Sequence, residues 1–188
     1  MDEIKEEWVE GLAAEEGARR AAAAAEIYRV GCARAGSAVD AWWQNPELAR
    51  LRGTNRAATV GLAVRPARFA RIREANGFPR LAEVPPEHDA SEFTLHFANG
   101  AALDVLTTRE PGAEGAIARF LARQGEGVQQ VEFACRDVDR ATAILRDQFG
   151  IEAVYPAKRP GADGTAVNFF LVAGADGKKV LIELYEAD

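Results

Sequence analysis

The chain has 188 residues, of which 48% are hydrophobic and 28% charged, the balance of a soluble protein with one core or two small fused modules. Its formal net charge is -6 and its arginines are scattered, which argues against nucleic acid as a partner. The acidic start, MDEIKEEWVEG, has no long apolar run, so we expect no membrane partner and a cytoplasmic location. Cys32 and Cys135 have a spacing typical of neither zinc sites nor disulfides, and are expected to be free thiols.

Residues 1–55 predict a helical extension. The stretch AAAAAE favours a long helix, which we expect to end at Gly36, with Ser37 and Asp40 forming a capping box for a second helix. The motif NPEL then predicts a third helix, because asparagine is a good cap and proline fits the first helical position.

From residue 57 onward one pattern occurs twice. It begins as AATVGLAVRPARFARIREANGF in the first copy and as VQQVEFACRDVDRATAILRDQFGI in the second, each a short apolar strand, a helix and a terminating glycine. Strand-like alternation broken by a hairpin turn follows in both copies. The fold class is therefore predicted to be α+β, with βαβββ modules over 56–110 and 127–188, joined by a helical linker over 111–126. We expect the tandem modules to form a cupped sheet around a cavity.

One face of this sheet is expected to be polar. Strand side chains alternate between two faces, and the bulky apolar residues take the face covered by the helix. Glu183 is the strongest candidate, because an unpartnered carboxylate in the apolar strand VLIELYE would be costly to bury. The candidate residues on the polar face are Thr59, His96, Asp104, Gln130, Glu132, Glu183 and Tyr185.

Several motifs resemble those of a known family. VGLAV, EVPPEH, GAIARFLARQGEGVQQVEF, RPGADG and VLIELYE, spread over residues 57–186, are similar to motifs of the vicinal oxygen chelate superfamily, and within it of the methylmalonyl-CoA epimerases. The linker and the last strand are the specific parts of this resemblance. It implies paired βαβββ modules, a divalent metal, and movement of a proton on the carbon alpha to a thioester carbonyl.

The resemblance also implies site residues, most of which are substituted. The epimerases have histidines at the positions of Thr59 and Gln130, a glutamine or glutamate near Asp104, and a glutamate at Glu183, of which only the last is kept. A catalytic glutamate falls on Glu87, for which a solvated loop is the alternative. The resemblance thus assigns catalysis to Glu183 and Glu87. The residues predicted to hold a metal are Thr59, His96, Asp104, Gln130 and Glu183, where His96 has the alternative of an ordinary surface histidine.

The substitutions change the expected metal. Without two imidazoles only oxygen donors remain apart from His96, which predicts magnesium or calcium rather than zinc or cobalt. The alternative is no metal, with Asp104 and Glu183 sharing a proton. We expect Glu132, Tyr185 and Arg159 to contact the substrate, although Arg159 has the alternative of lying in a basic hairpin turn.

Three functions remain open at this point. The first is a metal-assisted epimerase, isomerase or lyase that moves an alpha proton on a small carboxylate or acyl-CoA. The second is a non-catalytic protein that binds a small molecule in the same cavity. The third is a partner-binding role for the helical extension. We expect a homodimer, and we expect Trp42 and Trp43 to pack on the body of the protein or on a second subunit.

Overall fold

The structure is a computed structural model and describes residues 4–53, 58–112, 114–174, 177 and 179–186. The helices are α1 (Glu6–Gly11), α2 (Gly17–Gln44), α3 (Pro46–Leu51), α4 (Pro66–Ala75), α5 (Ala116–Gln124) and α6 (Val138–Phe149). The strands are β1 (Thr59–Ala63), β2 (Ala90–His96), β3 (Ala102–Thr108), β4 (Gly127–Ala134), β5 (Arg159–Pro160), β6 (Ala166–Ala173) and β7 (Lys179–Glu186). The predicted α+β class is confirmed.

The chain divides into two compact units. The first unit contains residues 2–31 and 59–129, and the second contains residues 32–58 and 130–188. Each unit thus combines part of the amino-terminal helical region with one of the two repeated patterns. The segment boundaries expected from the sequence, at residues 55, 110 and 126, stay a prediction.

The first unit contains strands in the order β2-β3-β1, with β1 and β3 parallel and β2 and β3 antiparallel. Helix α4 packs on one face, where the rings of Phe69 and Phe93 lie 4.8 Å apart. The expected βαβββ order is wrong in one detail, because residues 77–89 form no strand before β2. A single backbone hydrogen bond, from Ala82 N to Glu92 O, joins this described segment to β2, and two neighbouring prolines remove donors that a strand would need.

The second unit has the complete βαβββ order. Its strands lie in the order β4-β7-β6-β5, with β4 and β7 parallel and the other pairs antiparallel. Asp137 caps α6 by accepting a hydrogen bond from Arg140 N. Gly150 ends the helix in the left-handed conformation, which confirms the predicted terminating glycine. This unit holds the sheet that positions the candidate site.

The amino-terminal helices differ from the expectation at one point. Helix α2 continues through Gly36 to Gln44, so the predicted end at Gly36 and the capping box after it are wrong. The helix continues because strong helix formers lie on both sides of Gly36. A single glycine lowers helix propensity but does not break a helix. Asn45 caps α3 as expected. Among the described helices, none is both long and apolar enough to cross a membrane.

Candidate active site

The candidate site is a cluster of three polar side chains on β4 and β7. The amide nitrogen of Gln130 donates to Glu132 Oε1 at 3.0 Å and to Glu183 Oε2 at 2.6 Å. Gln130 and Glu132 are only 8% and 7% exposed, and Glu183 is half-buried. We call these three residues the carboxylate cluster. The polar face expected from strand alternation is therefore present in the second unit.

The sheet register explains why the three side chains meet. Glu132 and Glu183 are direct neighbours across the parallel pair β4 and β7, and Gln130 lies two residues before Glu132 on the same face. Like charges that face each other across a ladder destabilise a sheet. The amide group of Gln130 offsets this repulsion, because its two hydrogens are shared between the two carboxylates. The amide of Gln130 thus bridges the two carboxylates.

An aromatic wall lies beside the carboxylate cluster. Phe169 on β6 is the direct neighbour of Glu183, and its ring meets that of Tyr155 edge to face at 6.1 Å. The guanidinium carbon of Arg159 lies 4.4 Å from the centre of the Tyr155 ring. Such stacking fixes the direction of the guanidinium without neutralising its charge. None of the carboxylates in the described ranges forms an ion pair with Arg159.

The remaining two substrate candidates are placed by the same register. Tyr185 is the neighbour of Ala134 on β4 and of Val167 on β6, and Val167 in turn is the neighbour of Arg159. These residues form the next row on the face that carries Glu183. Tyr185 and Arg159 therefore lie on one side of the sheet with the carboxylate cluster, as the alternation predicts.

Lys158, the other basic residue of this turn, is engaged differently. It forms an ion pair with Glu186, and its Nζ lies 4.0 Å from Asp139 Oδ2. The hydrogen bond with Glu186 raises the pKa of Lys158. Arg159 is thus the residue of this pair that is suited to an external anion.

The first unit also carries polar residues on one sheet face. Thr94 Oγ1 donates to Asp104 Oδ1 at 2.8 Å, and Asp104 is the neighbour of Gly61 on β1. Thr59 lies two residues before Gly61 and therefore faces the same side, as does the exposed His96, two residues after Thr94. Their predicted roles as metal ligands stay predictions.

Glu87 lies outside the strands. It occupies a short 3-10 turn, Pro86–His88, and its side chain is exposed. This position agrees with the solvated loop that the two prolines suggest. Its catalytic role stays a prediction that rests on the resemblance alone.

Sequence reasoning missed two features of this site. It did not anticipate that Glu132 is the neighbour of Glu183 and a second acceptor for Gln130, and the expected contact of Glu132 with substrate stays a prediction. It also missed Tyr155 and Phe169. The regular alternation of β6 could have placed Phe169 on the polar face, but Tyr155 lies in an irregular segment that has no pattern to interpret.

The donor set limits which metal fits. In the described part of the chain, no group of three His, Cys, Asp or Glu side chains is placed to hold a metal ion. The carboxylate cluster offers two carboxylates, and Gln130 adds an oxygen donor if its amide turns by half a rotation. Three oxygen donors fit a hard cation such as magnesium or calcium, and fit zinc or cobalt poorly.

Comparison with known proteins gives matches among solved structures. No family model matches the chain, and a search of curated proteins gives no match. The methylmalonyl-CoA epimerase of Mycobacterium tuberculosis matches with 28% identity and a TM-score of 0.56, over 69% of this chain and 86% of that chain. A methylmalonyl-CoA epimerase in complex with methylmalonyl-CoA and NH4+ matches with 26% identity and a TM-score of 0.56, over 73% and 95%. This chain has the vicinal oxygen chelate fold.

Another solved structure with this vicinal oxygen chelate fold carries a ligand. It is a variant of the Streptomyces coelicolor methylmalonyl-CoA epimerase in complex with 2-nitronate-propionyl-CoA, and it matches with 25% identity and a TM-score of 0.54, over 69% of this chain and 94% of that chain. The resemblance noted in the sequence is therefore confirmed at the level of the fold. Most of the ligand positions implied by that resemblance are substituted in this chain.

Cys135 lies at the end of β4 and is expected to be unreactive. Burial raises the pKa of its thiol from 9.0 to about 11. At pH 8 roughly one molecule in a thousand then carries a thiolate, the form that reacts with alkylating reagents. We expect iodoacetamide to modify Cys135 only after unfolding, which mass spectrometry of the alkylated peptides would detect.

The half-buried Cys32 serves as the internal control for this experiment. Equal modification of both cysteines in the folded protein would contradict the prediction. Because a raised pKa favours the neutral thiol, the stability that burial of Cys135 contributes is present below pH 9.0 and is lost as the pH rises toward about 11.

Proposed function

We propose that this protein is an enzyme that moves a proton on the carbon alpha to the carbonyl of a small carboxylate or acyl-CoA, as an epimerase, isomerase or lyase. The observation that supports it is the carboxylate cluster, in which Glu132 and Glu183 lie side by side and share the amide of Gln130. The fold shared with methylmalonyl-CoA epimerases supports the same class of reaction.

Glu183 is the proposed base. It is more exposed than Glu132 and therefore is the carboxylate of the cluster that a substrate can reach. Its carboxylate takes the alpha proton, the carbon–hydrogen bond breaks, and the electron pair moves onto the carbonyl oxygen as an enolate. Glu132 stays ionised and holds the amide of Gln130 in position.

Gln130 then changes partner during the reaction. A protonated Glu183 is a weaker acceptor than a carboxylate, so one N–H of Gln130 is released. That N–H is available to the enolate oxygen, where negative charge develops. Return of the proton from Glu183 regenerates the starting hydrogen bonds. In a form with the Gln130 amide turned, Glu132, Glu183 and the Gln130 oxygen would hold a divalent cation, which would polarise the carbonyl in place of the Gln130 N–H.

Arg159 is the proposed anchor for the substrate. Its stacked guanidinium is suited to a carboxylate or a phosphate, and Tyr155 and Phe169 form an aromatic wall between it and Glu183. Solved structures with this fold carry methylmalonyl-CoA or 2-nitronate-propionyl-CoA, which contain such groups next to a small acyl chain. We therefore propose an acyl thioester or a related small carboxylate as the substrate.

Exchange of the alpha proton of methylmalonyl-CoA in heavy water tests this proposal. We expect the wild-type protein to catalyse exchange, followed by mass spectrometry, and Glu183→Gln to slow it by about a hundred- to ten-thousand-fold, the usual contribution of a general base. Glu152→Gln is the matched control, because Glu152 is an exposed carboxylate of the same unit. Glu87→Gln tests the second predicted catalytic carboxylate in the same assay.

A non-catalytic binding protein is the second candidate. It is supported by the fact that both carboxylates of the cluster already accept hydrogen bonds from Gln130. Binding of methylmalonyl-CoA without exchange, measured by calorimetry alongside the exchange assay, would favour it. Exchange that is unaffected by Glu183→Gln would contradict the proposed role of Glu183.

A further inference from the structure

A cavity lies on the opposite face of β4 from the carboxylate cluster. It has a volume of about 370 Å³ and is lined by residues of the second unit, namely residues from the second half of α2, Arg52, Ala58 and Phe133 on β4. Phe133 lines it, whereas the neighbouring Glu132 belongs to the carboxylate cluster. Because successive side chains of a strand point to opposite faces, the two sites are separate.

Helix α2 presents one stripe of residues to this cavity. The lining residues Cys32, Gly36, Val39, Asp40 and Trp43 recur at intervals of three and four. This spacing is that of one face of an α-helix. The opposite wall is fixed by pairing of the segment after α3 with the end of β4, since Gly53 N donates to Ala134 O at 2.8 Å. The cavity therefore lies between α2 and β4.

Gly36 lines this cavity, and no neighbouring atom among the described residues requires a glycine there. A glycine inside a helix lowers stability relative to alanine. At Gly31 the exchange is prevented by packing, because a Cβ would lie 2.5 Å from Val60 Cγ1. At Gly36 a Cβ would meet no atom within 4 Å. Packing in the described part of the chain thus does not explain this glycine, whereas an open cavity for a ligand does.

Trp43 supplies a second, independent observation. Its ring lies in the wall and meets Phe133 edge to face at 6.3 Å. Its Nε1 is buried, and the described part of the chain provides no hydrogen-bond acceptor for it. Buried donors in proteins are nearly always paired, and an unpaired one is costly. A ligand that carries an acceptor would remove this cost.

The side chains around Trp43 indicate the kind of acceptor. The guanidinium carbon of Arg52 lies 5.4 Å from the centre of the Trp43 ring, and Arg52 also lines the cavity. A positive group next to an N–H donor favours a carboxylate. Asp40 is exposed, so solvent screens its charge. The aromatic walls favour a planar ring. We propose that this cavity is a second binding site, for a small planar aromatic carboxylate.

Binding of 2-naphthoate to the full-length protein tests this proposal, measured by isothermal titration calorimetry. We expect saturable binding to one site, and at least tenfold weaker binding of the neutral analogue naphthalene-2-methanol. Trp43→Phe keeps the ring and removes the N–H donor, and is expected to weaken naphthoate binding about tenfold, the effect of one hydrogen bond to a charged group. Gly36→Leu fills the cavity and is expected to abolish binding.

Two variants serve as controls. Gly36→Ala adds one methyl group and raises helix propensity, so we expect retained binding and a higher melting temperature. Arg159→Met alters the proposed substrate anchor on the other face and should leave the dissociation constant unchanged within about twofold.

Three results would overturn the proposal. The first is the absence of 2-naphthoate binding to the wild-type protein at about 10 mM ligand, the upper limit of the assay. The second is wild-type affinity in the Trp43→Phe variant. The third is loss of binding in the Arg159→Met variant, which would show that the ligand binds on the other face of β4. The Trp43→Phe result decides the case even if Gly36→Leu fails to fold. Proton exchange on methylmalonyl-CoA plays no part in these outcomes.

Discussion

Replacing Trp42 by alanine is expected to lower the free energy of unfolding by about 3–5 kcal/mol. Trp42 is 1% exposed, and its ring meets the fully buried ring of Phe170 edge to face at 5.8 Å. Alanine would remove most of this buried area and leave a cavity between α2 and β6, and the rigid packing of a core closes such cavities only partly. Urea unfolding followed by circular dichroism measures the loss.

Two further variants show whether this loss comes from packing. Trp42→Phe keeps an aromatic ring in the core and should lose about half as much stability or less, because a smaller cavity is formed. Trp43→Phe, in the neighbouring half-buried position, should not lower stability, because removing the buried unpaired N–H offsets the loss of ring contacts. An alanine variant at Trp42 with a wild-type urea midpoint would show that the helical extension does not contribute to this core.

The Arg68→Met variant is expected to lose about 3 kcal/mol of stability, because it leaves a buried carboxylate without its counter-ion. The Nε of Arg68 lies 3.0 Å from Glu126 Oε2, and the two side chains are only 16% and 7% exposed. Arg68 also pairs with Glu6 at 2.7 Å and with Glu10 at 3.0 Å, which joins α1 to α4 in the first unit. These partners outweigh the effect of burial and raise the pKa of Arg68.

Arg71→Met is the matched control for this experiment. Arg71 pairs with Glu10 at 2.9 Å, but its side chain is 59% exposed, so its loss should cost less than about 1 kcal/mol. A double variant, Arg68→Met with Glu126→Leu, should recover part of the stability, because no buried charge then remains. If urea unfolding gave equal losses of stability for Arg68→Met and Arg71→Met, the burial of the Arg68–Glu126 pair would not be the cause of the larger expected loss.

The fold was largely predictable from local patterns. Helical spacing followed by a glycine identified α6 and its end at Gly150, and strand alternation placed Gln130 and Glu183 on one face of the second unit. The helix end expected at Gly36 was wrong, because propensity and capping motifs act locally while the length of α2 depends on its neighbours. The missing strand before β2 has a similar cause, since alternation alone does not reveal whether a partner strand is available.

The candidate site was predictable only in part. Period-two alternation selects a face, so it grouped Gln130, Glu132 and Glu183 correctly, but it carries no information about which residues become neighbours across strands. Register decided that Glu132, and not a more distant carboxylate, lies beside Glu183. The expectation that Asp104 and Glu183 line one hollow involves residues of both units and stays a prediction.

The amino-acid sequence by itself determined the α+β class, the repeated strand and helix pattern, the polar face of each sheet and the resemblance to the vicinal oxygen chelate superfamily. These properties depend on the spacing of residues along the chain, which secondary structure converts directly into faces. Only the tertiary structure decided the bridging role of Gln130, the stacking of Arg159 on Tyr155, and the cavity beside Gly36 and Trp43. The contact of Gln130 with Glu183 and the cavity join residues distant in sequence, so they depend on strand register and helix packing. The stacking of Arg159 on Tyr155 joins residues close in sequence, but Tyr155 lies in an irregular segment that no strand or helix pattern describes.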